Sequence, residues 1–191
     1  MSSHLLALIP LAVGINLALG QVAAVTHVPL FLDTVGTVLV AVLVGTWAAL
    51  ATGFFSQLVF TVISGNFTWL WFLPVQLAVA AYAGGAARVG VFRRLWVTVM
   101  AGLGLGVFAA SMSWPISFFV FGGVTGGGAT ALIVLLRSTG LSLGWSVYAG
   151  GLVADLLDKT VTFLLVRTVF VSLPARLVGR FPGARRSMGT A

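Results

Sequence analysis

Long apolar runs separated by short polar breaks dominate this chain, and their lengths are those of helices rather than strands. The first run covers about Leu5 to Ala24 and is interrupted only by Asn16 and Gln21. Thr26-His27-Val28-Pro29 makes a polar pause, and Asp33-Thr34 then offers an N-cap for a second helix reaching about Val44. Gly45-Thr46 marks a tight break before a third helix, about Trp47 to Ile63, which Ser64-Gly65-Asn66 closes with a turn signal. A fourth run, about Trp69 to Ala87, leads into the loop Arg88 to Arg94. The fifth extends from about Leu95 to Phe121, with Pro115 placed to kink or end it. Gly122 to Gly128 is too glycine-rich for a regular helix, and a short apolar piece, Ala129 to Leu136, follows before Arg137. The last run is about Trp145 to Leu173, closed by Pro174.

About 20 apolar residues cross the hydrocarbon core of a bilayer. The pattern therefore predicts an all-α integral membrane protein, a six-transmembrane-helix bundle with a re-entrant or surface helix at 129–136. The alternating ten-residue strands of a membrane barrel are missing. One domain is expected over residues 1–181, followed by a mobile basic tail at 182–191.

Composition sharpens this reading. The 191 residues are 60% hydrophobic and 7% charged, with mean hydropathy +1.15, whereas soluble domains carry about 25% charged residues. The formal charge of +7 raises the question of nucleic acid, and its distribution answers it. Eight of the ten basic residues are Arg88, Arg93, Arg94, Arg167, Arg176, Arg180, Arg185 and Arg186. Basic loops cluster on the cytoplasmic side of membrane proteins, and no aromatic-basic interleaving accompanies the charge. The expected partner is the lipid bilayer and not nucleic acid, with both termini cytoplasmic in a multi-pass protein. The loops at 25–33, 64–69 and 121–144 then lie outside. The first run lacks a basic n-region and a small-residue cleavage site, so it is expected to be retained. Cysteine is absent, which removes thiolate chemistry and cysteine-ligated metals.

The chemistry concentrates in few residues. Of three acidic residues in the chain, Asp155 and Asp158 share one helix with Lys159, the only lysine. An ionisable side chain at membrane depth costs roughly 2.5–3.5 kcal/mol on insertion scales, so the three must face a protein interior or a wet cavity. Their i, i+3, i+4 spacing puts them on one face. That face is either a polar wall of a ligand cavity or an ion pair, Asp155 with Lys159, stitching this helix to a neighbour. Asp33 is read as the cap of the second helix and, together with that role, as a ligand group. Asn66, Trp69 and Trp71 form an aromatic-polar cluster that is either an interfacial belt or a stacking platform for a flat ring, and Trp114 beside Pro115 has the same two readings. Asn16, Gln21, Gln57 and Gln76 are amides within apolar helices, a setting explained by inter-helix hydrogen bonds; Gln57 and Gln76, towards the outer ends, are the better ligand candidates. Gly14 and Ala18 make a small-xxx-small ridge suited either to packing within the fold or to docking another membrane subunit.

No His-Glu-x-x-His, Gly-x-Ser-x-Gly or phosphate-loop motif occurs, and His4 and His27 are the only imidazoles. The chain is therefore not read as an enzyme, and neither a metal nor another cofactor is expected. Any active transport needs energy from another protein or from an ion gradient.

In their order, four segments resemble the membrane-embedded substrate-binding subunit, or S component, of energy-coupling factor (ECF) transporters. They are Ile9-Pro10 with Asn16-Leu17-Ala18-Leu19-Gly20-Gln21, then Pro29-Leu30-Phe31-Leu32-Asp33-Thr34-Val35-Gly36-Thr37, then Phe121 to Gly128, and the Asp155-Leu156-Leu157-Asp158-Lys159 helix ending at Leu173-Pro174. The resemblance covers about residues 8 to 181. It implies a six-helix binder of a vitamin or similar micronutrient, docked on a transmembrane coupling subunit driven by two ABC-type ATPases and delivering substrate by toppling. Members of that family present an Ala-xxx-Ala pattern to the coupling subunit, and Gly14 and Ala18 stand at the matching positions, with glycine a departure at the first. Nickel and cobalt members place a histidine next to the initiator methionine, whereas this chain begins Met1-Ser2-Ser3-His4. The acidic groups and tryptophans suggest a small, polar or cationic, ring-containing substrate. The rival readings are a stand-alone proton-coupled secondary carrier using Asp155 or Asp158, and a scaffold subunit without a ligand.

Overall fold

A computed structural model describes residues 6–125, 127–174 and 180–188. Every regular element among them is helical. Helix α1 is Leu8–Val25, α2 is Val35–Leu43 and α3 is Thr46–Ser64; a 3-10 segment, Phe67–Phe72, runs directly into α4, Leu73–Arg88. A second 3-10 turn, Val91–Arg93, leads to α5, Leu95–Phe119; α6 is Gly127–Ser138, α7 is Leu143–Ser172 and α8 is Pro182–Met188.

Among the described residues, four stretches are long and apolar enough to cross a membrane: α1, α3, the 3-10 segment with α4, and α5. Two of the expected crossings differ from these. Helix α7 is the longest at 30 residues, but any membrane-length stretch of it contains Asp155, Asp158 and Lys159. Helix α2 has nine residues, about 14 Å of axial rise against a hydrocarbon core of roughly 30 Å. Its shortness has a cause: residues 27–33, which read as an outer loop, turn back into the bundle and reach the middle of α7. Leu32 holds a left-handed φ of 51° there.

Helix α2 forms the centre. Eight of its nine residues are buried, and Val38 and Val42 pack with Ala49, Val79, Ala83, Leu105, Phe163 and Val166. Chain neighbours run antiparallel, as short connections require. Gly36 of α2 meets Ala12 of α1, Gly53 of α3 meets Gln76 of α4, and Gly102 and Gly106 of α5 meet Thr160 and Leu156 of α7. At Gly106 an added Cβ would sit 2.7 Å from Leu156 Cα and 2.8 Å from the Asp155 carbonyl oxygen, so only glycine lets α5 and α7 approach this closely. Large apolar side chains such as Phe55, Met100, Val107, Leu157 and Val169 point outward. Trp47, Trp71, Trp96 and Trp145 are exposed at the starts of helical segments, the placement of an interfacial aromatic belt.

Other expectations are revised locally. Helix α5 continues past Pro115 to Phe119, and the chain turns at Gly122 and Gly123, with φ of 58° and 85°. Gly127 and Gly128 belong to α6, and the glycine at 128 serves close packing, since it lies against the backbone of His27 and Val28 where no side chain fits. Helix α8 falls in the stretch expected as a free tail and is docked: Ala184 is buried, and Arg93 Nε donates to the Ser187 carbonyl at 2.6 Å. Met1 to His4 and Arg176 lie outside the described residues.

Candidate functional site

The polar core is organised around Asp158, which is fully buried. Its Oδ1 accepts the backbone N–H groups of Phe31 at 3.0 Å and Leu32 at 2.7 Å. Its Oδ2 pairs with Lys159 Nζ at 2.5 Å. Backbone that is neither helix nor sheet carries N–H groups that apolar surroundings cannot satisfy, and Asp158 supplies the acceptor for two of them. It thereby also holds Leu32 in its left-handed conformation, which costs a non-glycine residue about 1–2 kcal/mol. Asp158 is an anchor for residues 27–33.

Anchoring that segment delivers Asp33 to the start of α2. The N-cap position of α2 is held by Thr34, without a side-chain cap bond, and not by Asp33. Instead Asp33 Oδ2 accepts from Gln76 Nε2 of α4 at 2.8 Å, and its Oδ1 lies 3.8 Å from Lys159 Nζ. Lys159 Nζ also reaches Thr34 Oγ1 at 3.4 Å. Asp155, one turn earlier on α7, accepts from Ser113 Oγ of α5 at 3.5 Å. Asp33, Gln76, Asp155 and Lys159 line a cavity of about 470 Å³, within the range of small-molecule sites.

The rest of that cavity is aromatic and weakly polar. Phe60 at the end of α3, and Trp69 and Phe72 of the 3-10 segment, line it. Trp69 packs on Phe60 with ring centroids 5.3 Å apart, on Phe72 at 5.8 Å and on Phe121 at 4.8 Å. Gln57 Nε2 donates to the Trp69 carbonyl at 2.6 Å and so fixes the 3-10 segment against α3. The cavity thus joins an acidic wall, built from α7, α4 and the 27–33 segment, to an aromatic one.

No family model, curated protein or solved structure matches the chain. The site's meaning therefore rests on its geometry.

Of the residues singled out from sequence, Asp33, Gln57, Trp69, Gln76, Asp155 and Lys159 come together around the cavity, with Gln21 also on its wall. Four do not line it. Asp158 is behind the wall, as described. Asn66 is exposed and caps the 3-10 segment, accepting from Thr68 N at 3.0 Å. Trp71 points away with 61% of its surface exposed. Trp114 donates its indole N–H to the Gly144 carbonyl at 3.0 Å, tying α5 to α7. Gly14 and Ala18 are exposed along α1, and nothing lies within 4 Å of a Cβ built at Gly14.

Other wall residues carried weaker signals. Asn16 lines the cavity but is saturated: its amide donates to Thr37 Oγ1 at 2.8 Å and Ser56 Oγ at 2.9 Å, and its oxygen accepts from Gly36 N at 2.7 Å. This is the inter-helix clasp that a lone Asn in an apolar helix suggests. Ser113 and Ser117 also face the cavity; their i, i+4 spacing on α5 was the available clue. Phe31, Phe60 and Phe72 were hidden among the chain's 14 phenylalanines.

Proposed function

We propose that the chain is the substrate-binding subunit of an ECF-type importer, taking a vitamin or similar small micronutrient from outside the cell. In this reading α1, α3, α4, α5 and α7 cross the membrane and α2, continued by the inward-turned residues 27–33, makes the sixth passage; both termini are cytoplasmic, and the membrane is the cytoplasmic membrane of a prokaryote. The observation that carries the proposal is the 470 Å³ cavity inside an apolar helix bundle, lined by Asp33, Gln76, Asp155, Lys159 and Trp69. A subunit with a merely structural polar core needs no such space. The order of the sequence segments supports the family, and the exposed Gly14–Ala18 ridge supplies a surface on which a coupling subunit, powered by two ABC ATPases, docks closely.

Ligand-dependent thermal stabilisation of the detergent-purified protein tests the binding role. A panel of vitamins and nucleobases is expected to contain at least one stabilising compound; a natively folded sample that responds to none overturns the reading. The docking role is tested separately, since Gly14→Leu with Ala18→Leu is expected to abolish co-purification with the coupling subunit while leaving ligand stabilisation intact.

One observation favours a second reading. Asp155 has a single long hydrogen bond among the described residues, the setting of a carboxyl that exchanges protons in a stand-alone carrier. Uptake into proteoliposomes without ATPases, driven by a pH gradient and lost in Asp155→Asn, would establish that alternative.

A further inference from the structure

The hydrogen-bonding capacity of the acidic wall is unevenly used. Lys159 is the only cationic side chain lining the cavity among the described residues. Its ammonium is already engaged by Asp158, Thr34 and Asp33 at 2.5, 3.4 and 3.8 Å. Acceptors, by contrast, are left over. Gln76 is 7% exposed and gives an amide N–H to Asp33, yet its Oε1 is buried without any hydrogen-bond partner. Asp33 Oδ1 has no hydrogen bond either, only the long contact to Lys159. Asp155 is 5% exposed and, among the described residues, receives only the 3.5 Å bond from Ser113. Formally, three carboxylates surround one ammonium.

Buried acceptors without donors destabilise a structure, and an uncompensated buried charge does so more strongly. A carboxylate or phosphate ligand would add acceptors to acceptors and find its one potential counter-charge occupied. A positively charged ligand with several N–H groups would supply what Gln76, Asp33 and Asp155 lack, through charge-assisted bonds. At the other end Trp69, Phe60 and Phe72 offer ring faces, which suit a flat conjugated body and attract positive charge.

Resting on the reading of this cavity as a ligand site, we infer that it selects a flat, ring-bearing organic cation. The cationic N–H groups bind Asp155, Asp33 and Gln76, and the ring lies against Trp69. The selection is against anions of the same shape.

A charge series on one ring tests this with the wild-type protein: benzamidine, benzamide and benzoate, carrying +1, 0 and −1 at neutral pH. Calorimetry and thermal shift in detergent are expected to rank them in that order, with benzamidinium at least about tenfold tighter than benzoate, a 1.4 kcal/mol preference. Asp155→Asn and, independently, Asp33→Asn are expected to narrow that ratio, whereas Trp69→Ala weakens all three compounds without changing their order. Benzoate binding as tightly as benzamidinium, with both weakened by Trp69→Ala, overturns the charge selection but leaves the cavity as a ligand site. The same holds for a preference that neither carboxylate variant narrows. Should none of the three bind, the charge of any compound found in the vitamin panel decides: a cation supports the inference and an anion overturns it. Failure of both sets with folded protein removes the ligand site itself.

Discussion

Two groups of polar side chains meet in the middle of this bundle, and they differ in how completely they are satisfied. On one side Asp158 and Asn16 use their capacity within the fold: two backbone N–H groups and an ammonium for the first, three inter-helix bonds for the second. On the other side Asp155, Asp33 and Gln76, which line a cavity, keep acceptors without a partner among the described residues. Asp155 and Asp158 lie three positions apart on the same helix. Residue type and spacing therefore do not separate a carboxylate used up within the fold from one left with spare acceptors at a cavity; the partner inventory does.

Substitutions can break this contrast. The largest effect is expected from Asp158→Ala, which strands the Phe31 and Leu32 N–H groups and removes the closest partner of Lys159. A loss of about 3–5 kcal/mol is expected, read as equilibrium unfolding in mixed micelles. A loss below about 1 kcal/mol would mean that residues 27–33 are held by something else. Asn16→Ala comes next, at about 1–3 kcal/mol, since it leaves Gly36 N–H without its acceptor in the core. Gly106→Val is expected to cost roughly 1–3 kcal/mol by forcing α5 from α7. Because Ser113 is on α5 and Asp155 on α7, the same change should also weaken ligand binding, which Asn16→Ala should affect less. The smallest stability effect belongs to Asp155→Asn, within about 1 kcal/mol. If Asp155→Asn destabilises the protein as much as Asp158→Ala, the two sides are not distinct.

Much of the helical order was legible in the sequence, because apolar runs bounded by Gly45, Gly65 and the Arg88–Arg94 loop have few alternative structures. The depth of residues 27–33 was not. Pro29 and its polar neighbours read equally well as an outer loop, and only the distant partner on α7 draws them inward. The site was legible in part for the same reason. Acidic residues in an apolar helix identify Asp155 and Asp158 as unusual, but which one faces open space depends on helix rotation that spacing leaves open. Trp69 and Trp71 illustrate this: two positions apart, one lines the cavity and the other faces out. The docking of α8 depends on Gly183 and Ala184 fitting beneath α2, a contact with no periodic signature in so short a helix.

The bonds from Phe31 and Leu32 to Asp158 join positions 127 and 126 residues apart. During synthesis residues 31 and 32 must therefore wait, with two amides unmet, until α7 has left the ribosome. Completion of the cavity wall thus waits for α7, and a truncation within α7 before Asp158 unfastens a segment that lies, in sequence, between α1 and α2.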